Sequence, residues 1–289
     1  MDAEPWQHIR TGGGELRIVI CVKQVPEADS VKVNPETGMM VREGVSSILN
    51  PFCEYALDEA FRIKNVTDEE VEIVAISMGP PQARSALLRC LELGADRAIL
   101  LNDKSFVGSD CWATALVLER CIRKTIGDYD LILTGKQAID GDTAQVPAEL
   151  AEMLCIPQVT GCSTIEFAGD KILATREMEN GKQVVRATIP ALVSIGKGSN
   201  IRRFPSMADF LKARSKEIVV MGAKDLDINE ESVGLRGSRT QVVRVFVPSR
   251  REGGVIVDGT NPEHAAALLV KFLEEKGFEP RRGETSADH

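Results

Sequence analysis

The 289-residue chain lacks the spacings that usually announce a metal site. Its seven cysteines stand at 21, 53, 90, 111, 121, 155 and 162 without one Cys-x-x-Cys pair, so neither a zinc nor an iron–sulfur centre has its usual ligand spacing, and no metal is expected. Long apolar runs are also missing. Stretches such as Arg97–Leu101 fall far short of the ~20 residues a bilayer helix needs, so no membrane span is expected. Positive charge is in deficit: 35 Lys and Arg against 43 Asp and Glu leave a net charge of -8, which argues against a nucleic-acid partner. Only three histidines are present; His264 opens a helix and the others lie near the chain ends. No Ser/His/Asp or Cys/His constellation can be assembled from them, so no catalytic acid, base or nucleophile is assigned. The first ten residues contain no apolar stretch of the signal-peptide kind. Cys53, Cys90 and Cys121 sit on apolar helical faces as small hydrophobes, which suits a reducing compartment; the expected location is cytoplasmic.

What the chain does contain is an alternation of strands and helices. With 43% hydrophobic and 27% charged residues it is composed to bury a sizeable core. Residues 1–15, ending in Thr11-Gly-Gly-Gly14, are expected to form a flexible extension. Leu16–Val22 predicts a buried strand, and Asn50-Pro51 opens a helix, Asn50 as its cap and Pro51 in its first turn, with Cys53, Leu57, Ala60 and Phe61 on one face. Val71–Ser77, Arg97–Leu101 and Asp130–Thr134 repeat the pattern, each followed by an amphipathic helix. Four such alternations with short connections imply a doubly wound α/β domain with a parallel sheet, expected over 16–220. After Pro157, the segments Ser163–Phe167, Lys171–Arg176, Gln183–Thr188 and Ala191–Ile195 predict a small antiparallel extension, a meander with a turn at Asn180-Gly181. Residues 221–289 predict an extended arm and a terminal helix capped by Asn261-Pro262, whose stripe Ala266, Leu269, Val270 and Leu273 must be buried against a partner subunit or the chain's own core.

In such a sheet, ligands bind at the carboxyl ends of the strands near the point where strand order reverses. Gly135–Val146 leaves a strand, passes two glycines and enters a helix, which suits a phosphate cradle with Thr143 and Gln145 as extra donors. Asp140 and Asp142 are expected to point away from an anion. Neither a Gly-x-Gly-x-x-Gly fingerprint nor a P-loop is present, so spacing alone supports nucleotide binding and nothing finer.

Four strings go further. Val22-Lys-Gln-Val-Pro26, Asn50-Pro-Phe-Cys-Glu54, Met78-Gly-Pro80 and Gly135-Lys-Gln-Ala-Ile-Asp140 together closely resemble the β subunit of electron-transfer flavoproteins. The resemblance spans about residues 16 to 278, through Ile156-Pro-Gln158, Ala174–Ser194 and Leu211-Lys-Ala-Arg214. It implies an adenine-nucleotide-binding fold whose C-terminal arm wraps an α subunit. The nucleotide's contacts would fall on Cys21, on Asn50, Pro51, Phe52 and Cys53, and on Met78. Further contacts would run along Gly135, Lys136, Gln137, Ala138, Ile139, Asp140, Gly141, Asp142, Thr143, Ala144, Gln145 and Val146.

The resemblance implies one of two functions. In the conventional branch the nucleotide is structural AMP, and electrons from an acyl-CoA dehydrogenase pass through the α-subunit flavin. In the bifurcating branch the same pocket holds FAD, which takes hydride from NADH and divides the electrons between the α-subunit FAD with its acyl-CoA dehydrogenase and ferredoxin or flavodoxin. The conventional branch tends to carry consecutive acidic residues after Gly-Lys-Gln-Ala-Ile, whereas the run Asp140-Gly141-Asp142-Thr143 resembles the bifurcating branch; Gly141, without a Cβ, would allow a longer diphosphate to lie against the backbone. Two departures stand out. Pro147 replaces a common Gly, and Ser199 stands near the usual leucine anchor of the docking loop, with Ile201 the nearest aliphatic residue. An ATP-hydrolysing or adenylating enzyme on the same sheet ranks below both branches, for want of a Ser-Gly-Gly loop after the first strand.

Overall fold

The computed structural model describes residues 15–27, 32–33, 40–41, 46–198, 204–243, 254 and 256–278. Residues 1–14 of the expected extension, and Ser199 and Ile201 of the expected docking loop, lie outside the described residues. Contacts divide the chain into two units, Met1–Val245 and Phe246–His289.

The first unit begins with β1 (Leu16–Val22), followed by two short antiparallel ribbons, β2 (Gln24–Pro26) with β5 (Ser47–Leu49) and β3 (Lys32–Val33) with β4 (Met40–Val41). Then come α1 (Pro51–Val66), β6 (Val71–Met78), α2 (Arg84–Leu93), β7 (Arg97–Leu101), α3 (Cys111–Cys121), β8 (Leu131–Gly135) and α4 (Val146–Leu154). Strands β9 (Gln158–Ala168), β10 (Lys171–Met178), β11 (Gly181–Thr188) and β12 (Ala191–Ile195) precede α5 (Met207–Ser215) and β13 (Ile218–Met221). One nine-stranded sheet runs β11-β10-β9-β12-β8-β1-β6-β7-β13. Its centre is parallel, and its strands are near-continuous apolar runs because helices cover both faces. Leu57, Phe61, Leu87 and Leu91 of α1 and α2 fill one layer; Val117, Leu118, Leu150 and Ala151 of α3 and α4 fill the other. Fully buried Glu59 takes the Arg62 guanidinium at 2.7 and 2.9 Å and the Ile165 N–H at 2.6 Å, which pins α1 to β9.

The doubly wound fold is as expected, with two corrections of detail. The four-strand meander is instead a three-strand one: β9, β10 and β11 are antiparallel, but β12 inserts parallel between β8 and β9. The reason is burial, since all five residues of β12 are buried and an apolar run of that kind belongs in a sheet's centre. The hairpin turn consists of Glu179 and Asn180, while Gly181 pairs with Met178 at φ +138°.

After β13, residues 222–240 remain part of the first unit. Ala223, Leu226 and Val233 are buried in the α3/α4 layer, and α6 (Gly234–Gly237) follows. Asp110 then receives the N–H groups of Arg239 and Thr240 at 2.7 and 2.8 Å. In the second unit, α7 (Pro262–Glu275) starts where Asn261 accepts the His264 N–H at 3.2 Å, and it leaves Leu269, Val270 and Phe272 exposed.

Candidate functional site

Strand order reverses between β1 and β8, since the chain moves from β1 to β6 and β7 on one side and from β8 to β12 on the other. A crevice at the carboxyl ends of a parallel sheet opens at such a point. The described residues enclose a cavity of about 310 Å³ there. Its floor includes Cys21 and Thr134, which are register partners on the adjacent strands. Thr114 and Leu118 of α3 form a wall, and Lys23, Asn50 and Met78 lie at the ends of neighbouring segments. The loop after β8 contributes Gln137, Ala138, Gly141 and the run from Thr143 to Pro147.

Long-range contacts hold this loop. Buried Asn50 donates its amide to the Gln137 carbonyl at 2.8 Å and accepts the Ile139 N–H at 3.2 Å. Its side chain therefore does not cap α1, contrary to the local expectation; its carbonyl takes the N–H groups of Cys53 and Glu54 instead. Gly135 is required by close approach, because a Cβ there would stand 2.8 Å from Phe52 and 2.9 Å from the Cys53 nitrogen. Asp140 turns to Lys23, at 2.8 Å, and Asp142 to the Gln137 amide. Neither aspartate lines the cavity. Asp142 and Ala144 adopt left-handed backbone angles, φ 56° and 55°, a strained conformation that other contacts must hold. The cavity side of the loop ends at the N-terminus of α4, which has no side-chain cap and carries Pro147 in its first turn.

The electrostatics suit an anion held at the rim over a largely neutral floor. Burial pushes the Cys21 thiol well above its ordinary value, so it stays protonated. Glu149, in the first turn of α4, is raised by burial and then by the charge of Asp110. Burial of Asp110 acts upward too, but N–H groups from Ala113, Thr240 and Arg239 outweigh it and leave its carboxyl below the ordinary value. Those bonds occupy the carboxylate and turn it toward the chain after α6. Two features fit a nucleotide. The uncapped N-terminus of α4 offers a positive dipole end for phosphate, and the Thr134 hydroxyl is buried beside the cavity with no hydrogen-bond partner among the described residues. Gly141 borders the cavity, and a Cβ there would meet nothing within 4 Å.

Of the residues singled out from sequence, Cys21, Asn50, Met78, Gly135, Gln137, Ala138, Gly141, Thr143, Ala144, Gln145 and Val146 converge on the cavity. Pro51, Phe52, Cys53, Lys136, Ile139, Asp140 and Asp142 do not line it. Phe52 and Cys53 pack against Gly135, and the Lys136 N–H joins the Ile195 carbonyl at 2.7 Å. Sequence reasoning missed Ser109, Asp110 and Cys111, which follow β7, and Thr134 with Leu118. A signal for the first three existed: a helix starting near Ser109 after a parallel strand must open onto the same crevice. Cys111 Sγ lies 3.1 Å from Thr143 Oγ1 and so joins the two helix-entry loops.

Residues 37–226 match the electron transfer flavoprotein domain family. The chain is 41% identical over 261 residues to a caffeyl-CoA reductase-Etf complex subunit, CarD, of Acetobacterium woodii, covering 90% of this chain and 99% of that one. It is 40% identical over 262 residues to the electron transfer flavoprotein subunit beta of Thermoanaerobacterium thermosaccharolyticum, covering 90% and 99%. Protein FixA of Azorhizobium caulinodans is 39% identical over 269 residues, covering 90% and 95%. Among the described residues no helix is long and apolar enough to cross a membrane. The shared domain and these full-length similarities place the chain in the electron transfer flavoprotein β-subunit family.

Proposed function

We propose that this chain is the β subunit of a cytoplasmic, electron-bifurcating heterodimer and holds FAD in the cavity at the β1/β8 switch point. A flavin held there would supply the redox chemistry that links NADH to the α-subunit FAD with its acyl-CoA dehydrogenase and to ferredoxin or flavodoxin. The chain's own residues bind and orient. The α4 N-terminus, Thr143 and Gln145 take the diphosphate, Asn50 holds the loop that carries them, and the protonated Cys21 adds no charge to the floor.

The observation that carries this reading is Gly141, which borders the cavity and leaves open space where a side chain would stand. A diphosphate can approach the backbone there. The name of the relative in a caffeyl-CoA reductase-Etf complex supports a partner that acts on acyl-CoA compounds. A conventional subunit with structural AMP is the second reading. It is favoured by the cavity's volume of about 310 Å³, at the low end of the ~300–1,000 Å³ typical of ligand pockets.

The test is to purify the heterodimer, extract its nucleotides and count them. Two FAD and no AMP per heterodimer are expected. One FAD and one AMP overturn the bifurcating reading and leave the conventional one.

A further inference from the structure

Thr134 is the penultimate residue of β8 and only 4% exposed, yet among the described residues its Oγ1 has no hydrogen-bond partner. Leaving a buried hydroxyl unmatched is unfavourable, and most such groups in folded proteins are paired. Side chains alternate along a strand, so Thr134 shares a face with Ile132, in the α3/α4 layer. Its register partner across the switch point is Cys21, and both line the cavity. Cys21 offers a protonated thiol, a weak hydrogen-bonding group, and Leu118 offers none. Thr134 is therefore the one strong side-chain hydrogen-bonding group that the described strand ends leave unmatched on this floor.

Resting on the reading of the cavity as a nucleotide site, we propose that Thr134 is a specificity-determining residue whose hydroxyl pairs with the nucleoside portion of the bound nucleotide. Phosphates belong at the rim, where the uncapped α4 and the glycine-bearing loop lie. The floor at the strand ends is then left for sugar and base. The matching group is a ribose hydroxyl or a polar edge of the base; both exchange hydrogen bonds with a threonine hydroxyl.

Ser77 is the internal control. Its Oγ is also buried and without a partner among the described residues, but it shares the face of Ala75, in the α1/α2 layer, and does not line the cavity.

The experiment uses nucleotide-depleted αβ heterodimer, AMP as the probe and calorimetric titration as the readout, with thermal unfolding measured on the same samples. Thr134→Val is expected to bind AMP about 3–10-fold more weakly, the usual effect of one lost hydrogen bond, and Thr134→Ser to stay near the unmodified protein. Without nucleotide, Thr134→Val should unfold at the same or a higher temperature, because it removes an unmatched polar atom. That opposition of affinity and stability separates a ligand contact from a structural role. Ser77→Ala should leave AMP binding unchanged. Repeating the titrations with 2′-deoxy- and 3′-deoxy-AMP identifies the source: disappearance of the Thr134→Val effect assigns a ribose hydroxyl, and its persistence assigns the base. Unchanged AMP affinity in a folded Thr134→Val heterodimer overturns the proposal. Whether the native nucleotide is FAD or AMP is decided separately by extraction, because AMP is also one half of FAD.

Discussion

The Asn50 side chain spans two segments 87 residues apart, donating to the Gln137 carbonyl at 2.8 Å while accepting the Ile139 N–H at 3.2 Å. One buried amide thus satisfies both polarities of the loop backbone and sets where that loop stands against α1. Asn50→Ala should lower stability by about 1–3 kcal/mol, the effect of leaving buried backbone groups unmatched, and should weaken nucleotide binding as the loop loosens. Urea unfolding and AMP titration of the heterodimer measure both. An unchanged affinity would show that the loop keeps its position without Asn50.

Two glycines in the same loop should behave oppositely. Gly135→Ala places a Cβ 2.8 Å from Phe52 and should destabilise by about 1–3 kcal/mol, as overpacking does. Gly141→Ala meets open space and should fold normally. Gly141→Asp adds charge beside a diphosphate, and like charges ~4 Å apart repel by up to a few kcal/mol. The variant should retain heterodimer assembly and the α-subunit flavin, but lose about half the total FAD and NADH oxidation. Two FAD surviving in Gly141→Asp would refute this placement of the diphosphate.

Acid should release the segment held by Asp110. Its native carboxyl titrates below the ordinary 3.8, so its contribution is complete above that value and disappears as pH falls through the native one. Asp110→Ala should therefore be less stable at pH 7, by about 1 kcal/mol as for a lost helix cap, with the difference from the unmodified protein shrinking below pH ~3.8. Glu149 has the opposite sign. Its native value is raised above the ordinary 4.5, so ionisation penalises the fold increasingly as pH rises through the native value. Glu149→Gln should stabilise at pH 7 and have little effect at pH 4. Unfolding curves across this range, with hydrogen exchange at residues 238–240, check both signs.

The apolar stripe of α7 should make the isolated chain self-associate. Leu269 is 57% exposed and Leu273 38% exposed, beside Val270 and Phe272. Surfaces of this kind mark interaction sites. Replacing Leu269 and Leu273 together by Lys should yield a better-behaved isolated chain that captures less α subunit. Light scattering after size exclusion and co-purification provide the readouts. Full capture of the α subunit by the double variant would rule out this stripe as the contact.

Most of the architecture was legible locally. β-branched runs and apolar helical faces specified the strand–helix alternation, and Asn261 behaves as the cap its position predicts. β12 was legible as a strand but not in its direction, because a short apolar run carries no information on its neighbours. Asn50 was misjudged as a side-chain cap because the group it serves is remote in sequence. The missed cavity residues divide similarly. Ser109 to Cys111 follow a strand end and could have been inferred, whereas Thr134 gives no sign in sequence that its hydroxyl lacks a partner.

By itself, the sequence determined the family and the doubly wound class, because four short strings and the strand–helix alternation are properties of contiguous residues. It also placed glycine at 135 and 141, in the loop that borders the cavity. Only the tertiary structure decided what those glycines do: Gly135 admits the backbone of α1, while Gly141 faces open space. It also brought Cys21 beside Thr134 across the switch point and set Asn50 against Gln137. Parallel register and long-range hydrogen bonds join atoms whose separation along the chain leaves no trace in local periodicity, so the floor of the site became visible only when the strands were assembled.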